Sequence, residues 1–502
     1  MRKPFYITTT LPYVNAEAHL GHAMEFIRAD IIARAMALGG FDVLFNTGTD
    51  EHGLKIHRKA EEQGIATQAY VDGLAGKFRE LLPMLGIGVN EPAGPGSLVR
   101  HFIRTTDPKH IHAAQEFWKL CASRTAPDGQ SIIYKKNYQV KYCVGCELEK
   151  TDSELVDGKC PIHPKTAIEI IDEENYFFRF SAFAKPLLEL YAAQPDFVVP
   201  DFRFNEIKAF VSRGLEDFSI SRFKSKMPWG VEVPGDPEHV MYVWFDALTS
   251  YISNLGWPDD AASFDKWWRE TGGVVQYCGK DNLRQQSAMW QAMLMAAGLP
   301  PSRQIAINGF VTAEGGVKMS KSIGNTVDPL DLIRDYGTDA LRLYVARELS
   351  MFEDSPVTIG QFKDSYNAAL ANGLGNLVSR VMRMAEANGV SLDAALGADA
   401  TATVSEAFAA HLIFYKAFQI NKAVDDIWLR IQAADKFIQT EQPFKVVKVD
   451  AEKGKAQIAG LLRDVYVVGA LLAPVLPETS AKITACVKAG KMPATGLFQR
   501  KD

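Results

Sequence analysis

The sequence predicts an α/β protein: a parallel sheet interrupted by an insertion and followed by an all-α bundle. Three observations carry this. Near the N-terminus, short β-branched and aromatic segments alternate with helical patterns, the order that builds a parallel sheet. In the middle the alternation stops, and three of the six cysteines fall within eighteen residues. Beyond residue 360 the chain turns to long Ala/Leu/Lys-rich segments with few strand signals, the pattern of a helical bundle. At 502 residues the chain is too long for one core, so several domains are expected.

Taken in order, a short strand begins at about Pro4, ends in the turn-like LPYVNAE, and leads to a helical pattern from about Gly21 to Ala37. The apolar segment from Phe41 to Phe45 follows, then the polar GTDEHG, then another helical stretch. Ligands on such sheets bind beyond the carboxyl ends of the strands, where His19, His22 and the Asp50-to-His52 segment fall. From about Ala113 the pattern breaks, and it returns near residue 226. MYVWFDAL at Met241 reads as a helix start, while VVQYCGKD at Val274 and IAINGFV at Ile305 read as strands. VKMSKSIGN, from Val317 to Asn325, then falls on a loop.

Composition narrows the class. With 47% hydrophobic and 23% charged residues the chain matches ordinary soluble proteins, and a net charge of −5 leaves no global basic footprint, so any RNA contact must be local. MRKPFYITTTLPY lacks the apolar core of a secretory signal, and VYVVGALLA, Val465 to Ala473, is too short for a bilayer span. A soluble, cytoplasmic protein without membrane contact is expected.

Four motifs carry chemistry. Cys143, Cys146, Cys160 and His163 follow a C-x2-C-x13-C-x2-H spacing, in which two turns converge on one tetrahedral ion. Four protein ligands close the shell, so one structural zinc is expected. His19 and His22 of HLGH are either surface histidines or imidazoles facing a phosphate at a helix start, with Gly21 permitting close approach of a flat ring. Asp50 is either a turn former or the partner of a ligand ammonium. Lys318 and Lys321, with no carboxylate in their nine-residue stretch, are either a solvated loop or a clamp for a polyphosphate.

Taken jointly, AHLGHA, GTDEHG, GKD at Gly279 to Asp281 and KMSKS at Lys318 to Ser322 resemble one family over nearly the whole chain: the methionyl-tRNA synthetases, class I aminoacyl-tRNA synthetases, here of the bacterial and organellar type with a single zinc knuckle. HLGH and KMSKS look like the two class I signatures; YVWFDAL, GTDEHG and the knuckle resemble the methionine branch.

The resemblance implies a Rossmann-like catalytic domain in two halves, 1–115 and 226–317, around a connective insertion, 116–225, with the zinc knuckle at about 140–166. A KMSKS and stem-contact region, 318–360, and a helical anticodon-binding domain, 361–502, follow. It implies methionine--tRNA ligase activity. ATP and L-methionine would give methionyl-adenylate and pyrophosphate, and the methionyl group would pass to the 3′-terminal ribose of initiator and elongator methionine tRNAs, with Mg2+ accompanying ATP. By the same resemblance His19, His22, Lys318 and Lys321 are catalytic, with Lys321 also binding ATP. Gly21, Gly279 and Asp281 hold the nucleotide, Asp50 accepts the methionine ammonium, and Leu11, Tyr13, Trp244, Ala247 and Tyr251 line its side-chain pocket. Asn376, Arg380 and Phe444 meet the anticodon, Phe444 standing where the family usually has tryptophan.

One stretch departs from the family. Where most relatives carry an aliphatic residue and then a Phe-His pair, this chain reads GKDNLRQQSAMW, with Asn282, Gln285 and Gln286. Part of the pocket should be more polar, with Gln286 replacing the imidazole's hydrogen bond to the methionine site. The alternatives are a class I synthetase with altered amino-acid preference and a non-catalytic tRNA-binding paralogue. A valine, leucine or isoleucine enzyme would need a large editing insertion that this length does not hold. Without the appended tRNA-binding domain that dimerises some relatives, a monomer is expected.

Overall fold

The computed structural model describes residues 2–502 except 89–96, 147, 151, 318–326, 393–399 and 493–494. The strands of its two larger sheets are β1 Pro4–Thr9, β2 Asp42–Thr49, β3 Ser97–Arg104, β4 Ile133–Cys143, β5 Leu148–Lys150, β6 Ile168–Phe178, β7 Val198–Val199, β8 Phe218–Ser219, β9 Val275–Gly279 and β10 Gln304–Asn308. The six-stranded sheet has the order β3-β2-β1-β9-β10-β7, and every neighbouring pair is parallel. The second sheet, β5-β4-β6-β8, is antiparallel. The predicted α/β class with a parallel sheet is thus the observed one.

The parallel strands are apolar on both sides because both faces are covered. On β1, Phe5 and Ile7 enter one core and Tyr6 the other. The strand expected at Phe41 to Phe45 runs further, into GTDEHG, and stays in register with β3 up to Thr49 opposite Arg104. Gly48 makes this extension sterically accessible: a Cβ there would lie 1.9 Å from the Ile103 carbonyl oxygen.

The pattern break expected near Ala113 falls inside a continuous helix. The helices needed below are α1 Leu20–Leu38, α2 Pro108–Ala122, α3 Val243–Leu248, α4 Trp290–Ala297, α5 Thr338–Arg347, α6 Asn376–Asn388, α7 Ala400–Lys416, α8 Ile420–Glu441, α9 Ala451–Leu471 and α10 Pro477–Ala489. Phe117, Trp118 and Cys121 of α2 are buried against the Tyr6 face, which is why the helix persists. The middle segment also returns to the main sheet, where β7 pairs with β10 at one edge. The other face of the sheet shares its core with the C-terminal helices: Ile27 and Ile31 of α1 lie in one cluster with Leu341, Val424, Ile458 and Val487. Among the described residues no helix is long and apolar enough to cross a membrane.

A buried charge cluster fastens this second core. Asp30 on α1 accepts from Arg34 at 2.7 Å, from Arg100 of β3 at 2.9 Å and from Arg342 of α5 at 2.9 Å. Burial alone would raise the Asp30 pKa, but the three guanidinium groups outweigh it and hold the carboxyl well below the usual range. Arg342 also donates to the carbonyls of Leu85, Pro474 and Val475. Removing the shared anion leaves buried cations uncompensated, so Asp30→Asn should cost about 3–5 kcal/mol in urea unfolding. Because the folded-state pKa is depressed, this stabilisation is complete above the unfolded value near ~3.9 and is lost on acidification below it. Asp30→Asn should therefore show a flatter acid limb than the wild type.

Candidate active site and metal centre

The main sheet reverses its order between β1 and β9: the chain runs from β1 outward through β2 and β3, then returns to the other side of β1 through β9 and β10. A crevice opens beyond the carboxyl ends of strands at such a switch point. Here it lies between Thr9, the start of α1, and Gly279.

At the start of α1, His19 is the N-cap. Its Nδ1 accepts from the Gly21 amide at 3.1 Å, and Nδ1 of His22 accepts from the His19 amide at 3.3 Å, a reciprocal capping box built from two imidazoles. The rings stack at 3.8 Å, 15° apart. With Nδ1 accepting in each ring, a neutral imidazole carries its hydrogen on Nε2, leaving two N–H donors at a helix N-terminus. Burial, and then the neighbouring His19, hold the His22 pKa well below the ordinary histidine value, so His22 acts as a neutral donor. A Cβ on Gly21 would stand 3.0 Å from the His19 ring, so glycine leaves room for the capping imidazole.

Across the crevice, Gly279 ends β9, and a Cβ there would lie 2.7 Å from an Asp281 carboxylate oxygen. Asn282 donates to that carboxylate at 3.1 Å. Lys280 is turned away, paired with Asp354 at 2.7 Å. Joining the two strand ends is Glu25, which the sequence reading missed: it lies one turn beyond His22 on α1 and accepts from the Thr10 amide at 2.8 Å and from the Thr10 hydroxyl. Burial pushes its pKa up to about 8; the Thr10 and Gly279 hydrogen bonds oppose this, and nearby Asp281 adds to it. At neutral pH the carboxyl is mostly protonated and adds little negative charge where a polyphosphate would bind.

Beside this crevice is a second wall. Tyr13 and Asp50 form a parallel bridge, with the Asp50 amide donating to Pro12 O at 2.9 Å and the Val14 amide to Asp50 O at 3.0 Å, so the turn carrying Leu11 and Tyr13 is strapped to buried Asp50. The next residues are fixed more firmly. Glu51 accepts two 2.7 Å bonds from Arg104, and His52 contacts Asp246 at 2.6 Å. Asp246, on the same helix as Trp244 and Ala247, also binds His110 at 2.8 Å, and His110 reaches Ser253 at 2.8 Å. Burial would raise the Asp246 pKa, yet His52 and His110 bring it down to about 2. GTDEHG and YVWFDAL are therefore joined through a His-Asp-His chain whose signal lay in two quoted motifs but not in their spacing.

Trp244 and Tyr13 lie against a small cluster of Tyr142, Val144, Tyr242 and Val243. Tyr142 and Val144 flank Cys143, so the cysteine module is packed onto this wall. The donor atoms of Cys143, Cys146, Cys160 and His163 lie within 4.8 Å of one another, with Cys146 Sγ 3.2 Å from His163 Nδ1 and 3.4 Å from Cys160 Sγ. A Cβ on Gly145 would lie 2.5 Å from the His163 ring, so glycine keeps the imidazole in the shell. Three thiols and an imidazole at this separation fit one tetrahedral metal ion.

Tyr251 and Gln286 are buried, with Gln286 Nε2 donating to the Tyr251 hydroxyl at 2.7 Å. Gln285 and Gln286 sit on a π-helical turn, Gln285–Met289, a local feature with no signature in the residue pattern. Lys318 and Lys321 lie outside the described residues. In the C-terminal helices Asn376 opens α6 and lines a cavity of about 380 Å³ with Ser379 and Phe498. Arg380, one turn on, donates to Asp435 of α8 at 3.0 Å, and Phe444 is exposed.

A parallel sheet whose switch point carries the HLGH helix on one side and GKD on the other defines a class I tRNA synthetase, and residues 5–169 and 153–382 match the family described as tRNA synthetases class I (M). The chain is 38% identical over 493 residues to a methionine--tRNA ligase of Caldanaerobacter subterraneus, covering 96% of this chain and 74% of that one. It is 39% identical over 496 residues to one of Thermosynechococcus vestitus, covering 96% and 90%. The solved Mycobacterium tuberculosis methionyl-tRNA synthetase in complex with methionyl-adenylate superposes with a TM-score of 0.87 at 35% identity, covering 99% of this chain and all of the other. The chain belongs to the methionine--tRNA ligase family.

Two outcomes check the site. Cys146→Ala should lower the metal content of purified protein from one equivalent towards none and reduce thermal stability, read by elemental analysis and calorimetry. Glu25→Gln, which cannot ionise, should abolish any rise in KM for ATP between pH 7 and 9 that the wild type shows as its carboxyl loses its proton through about 8.

Proposed function

We propose that this chain activates L-methionine with ATP and transfers the methionyl group to methionine tRNA, initiator and elongator alike. The observation that carries the reading is the reciprocal capping box of His19 and His22, which turns both Nδ1 atoms onto backbone amides at the start of α1, on a sheet whose order reverses between β1 and β9.

The amino-acid carboxylate attacks the α-phosphorus of ATP, and pyrophosphate leaves. A carboxylate needs no general base, so the protein's task is positioning and charge stabilisation. His19 and His22 donate to phosphate oxygens from Nε2, and His22 does so as a neutral imidazole. Lys318 and Lys321 neutralise the β- and γ-phosphates as charge gathers on the leaving group. Magnesium bound with ATP supplies further neutralisation. Gly279 admits the nucleotide to the backbone and Asp281 accepts from the ribose. Asp50 accepts the methionine ammonium, while Leu11, Tyr13, Trp244, Ala247 and Tyr251 enclose the thioether, worth roughly 0.3–1.5 kcal/mol where sulfur meets aromatic rings. Cys143, Cys146, Cys160 and His163 would hold one zinc ion, a rigid cross-link behind Tyr13 and Trp244. In the bundle, Arg380 leaves Asp435 to meet an anticodon base, Asn376 contacts a second, and Phe444 stacks on an unpaired one.

Methionine-dependent pyrophosphate exchange, followed by charging of initiator and elongator tRNAs, tests the reading; preference for another amino acid in a panel would overturn it. His19→Ala and His22→Ala should each lower kcat of the exchange by about 10²–10³-fold, the usual loss for one donor to a developing charge, with KM for methionine little changed.

A further inference from the structure

Behind the Tyr251 wall lies a chain of buried amides whose direction is set by one group that cannot reverse. The Ser302 backbone N–H donates to Gln291 Oε1 at 2.9 Å. A backbone amide can only donate, so the Gln291 amide is fixed with Nε2 towards the Ser302 hydroxyl at 3.1 Å and the Gln286 carbonyl at 2.8 Å. Having accepted from Gln291, the Ser302 hydroxyl donates to Gln276 Oε1 at 2.7 Å. That turns Gln276 Nε2 onto Gln286 Oε1, and Gln286 Nε2 onto the Tyr251 hydroxyl at 2.7 Å. Every hydrogen bond in the series points the same way, and all five side chains are buried.

At its end Tyr251 is an acceptor from Gln286, so its own phenolic hydrogen is not spent on that amide. Gln286 accepts from Gln276 at Oε1 and donates to Tyr251 from Nε2, so its hydrogen bond into this wall goes to the Tyr251 hydroxyl. Burial holds the Tyr251 pKa well above the ordinary phenol value, and neither amide nor hydroxyl titrates near neutrality.

We propose that Gln276, Gln286, Gln291 and Ser302 form a specificity-determining relay that presents the Tyr251 hydroxyl as a hydrogen donor to the amino-acid side chain. The inference rests on the reading of Tyr251 as a wall of the methionine pocket. The relay favours a side chain with an acceptor and no donor at that depth, a thioether, over the hydrocarbon isostere norleucine. Fully satisfied buried networks hold one arrangement, and this one does so without a titrating member. Gln276, Gln291 and Ser302 are positioning residues.

The test compares kcat and KM for methionine and norleucine, and KM for ATP, by pyrophosphate exchange in wild type, Ser302→Ala, Gln276→Leu and Ser302→Thr, each with a thermal melt. In Ser302→Ala and Gln276→Leu the methionine-over-norleucine ratio of kcat/KM should fall about fivefold, as the loss of one modest hydrogen bond implies. The fall should lie in KM for methionine, with kcat and KM for ATP unchanged, and Ser302→Thr should restore the ratio. An unchanged ratio in folded Ser302→Ala and Gln276→Leu overturns the relay, as does a fall shared equally by KM for ATP. No methionine-dependent exchange in the wild type overturns the proposed function itself, and the relay with it.

Discussion

The Asp30 carboxylate, enclosed by three guanidinium groups, is the constraint from which the rest of the architecture hangs. Arg34 comes from its own helix, Arg100 from the sheet and Arg342 from α5. One anion thereby fixes α1 against the sheet and against the helices that follow it. Arg28, two residues earlier, extends the tie by donating to the carbonyls of Val345, Leu349, Ser350 and Met351. Since α1 begins with His19 and His22, the imidazoles are placed by contacts that lie two to three turns further along the same rigid helix.

The turn caught by Arg28 is also the turn that reaches the opposite side of the crevice. Asp354 accepts from the Phe310 amide and pairs with Lys280 of GKD. Gly309 lies so near that turn that a Cβ would meet the Glu353 carbonyl carbon at 2.1 Å. The two lips of the switch-point crevice are therefore referred to one another through the 345–354 segment as well as through the sheet. The charge balance follows from the same geometry: His22 and Glu25 are both kept mostly uncharged by burial, so this part of the crevice carries little charge of its own.

The pocket wall obeys a different logic. Buttressed by the cysteine module on one side and by the His52-Asp246-His110 chain on another, Tyr13 and Trp244 are held by packing and by one deeply buried carboxylate. Tyr251 is held by a series of neutral hydrogen bonds. Such neutral bonds fix the Tyr251 ring without the desolvation cost that a charged partner would carry.

The sequence by itself determined the parallel-sheet class, the Cys3His cluster that could hold a metal and the identity of the motifs, because alternation, knuckle spacing and the HLGH and KMSKS patterns are local and survive in a string of letters. It also located the departure at Gln285 and Gln286. Only the tertiary structure decided how the motifs meet. Glu25 was invisible because its role depends on Thr10 and Gly279 arriving from two strands, and Asp246 because its histidines come from residues 52 and 110. The direction of the glutamine relay depends on a backbone N–H at Ser302, sixteen residues from Gln286 in the chain. Hydrogen bonds have a donor and an acceptor end, and which end faces a neighbour is decided by where the backbone places that neighbour.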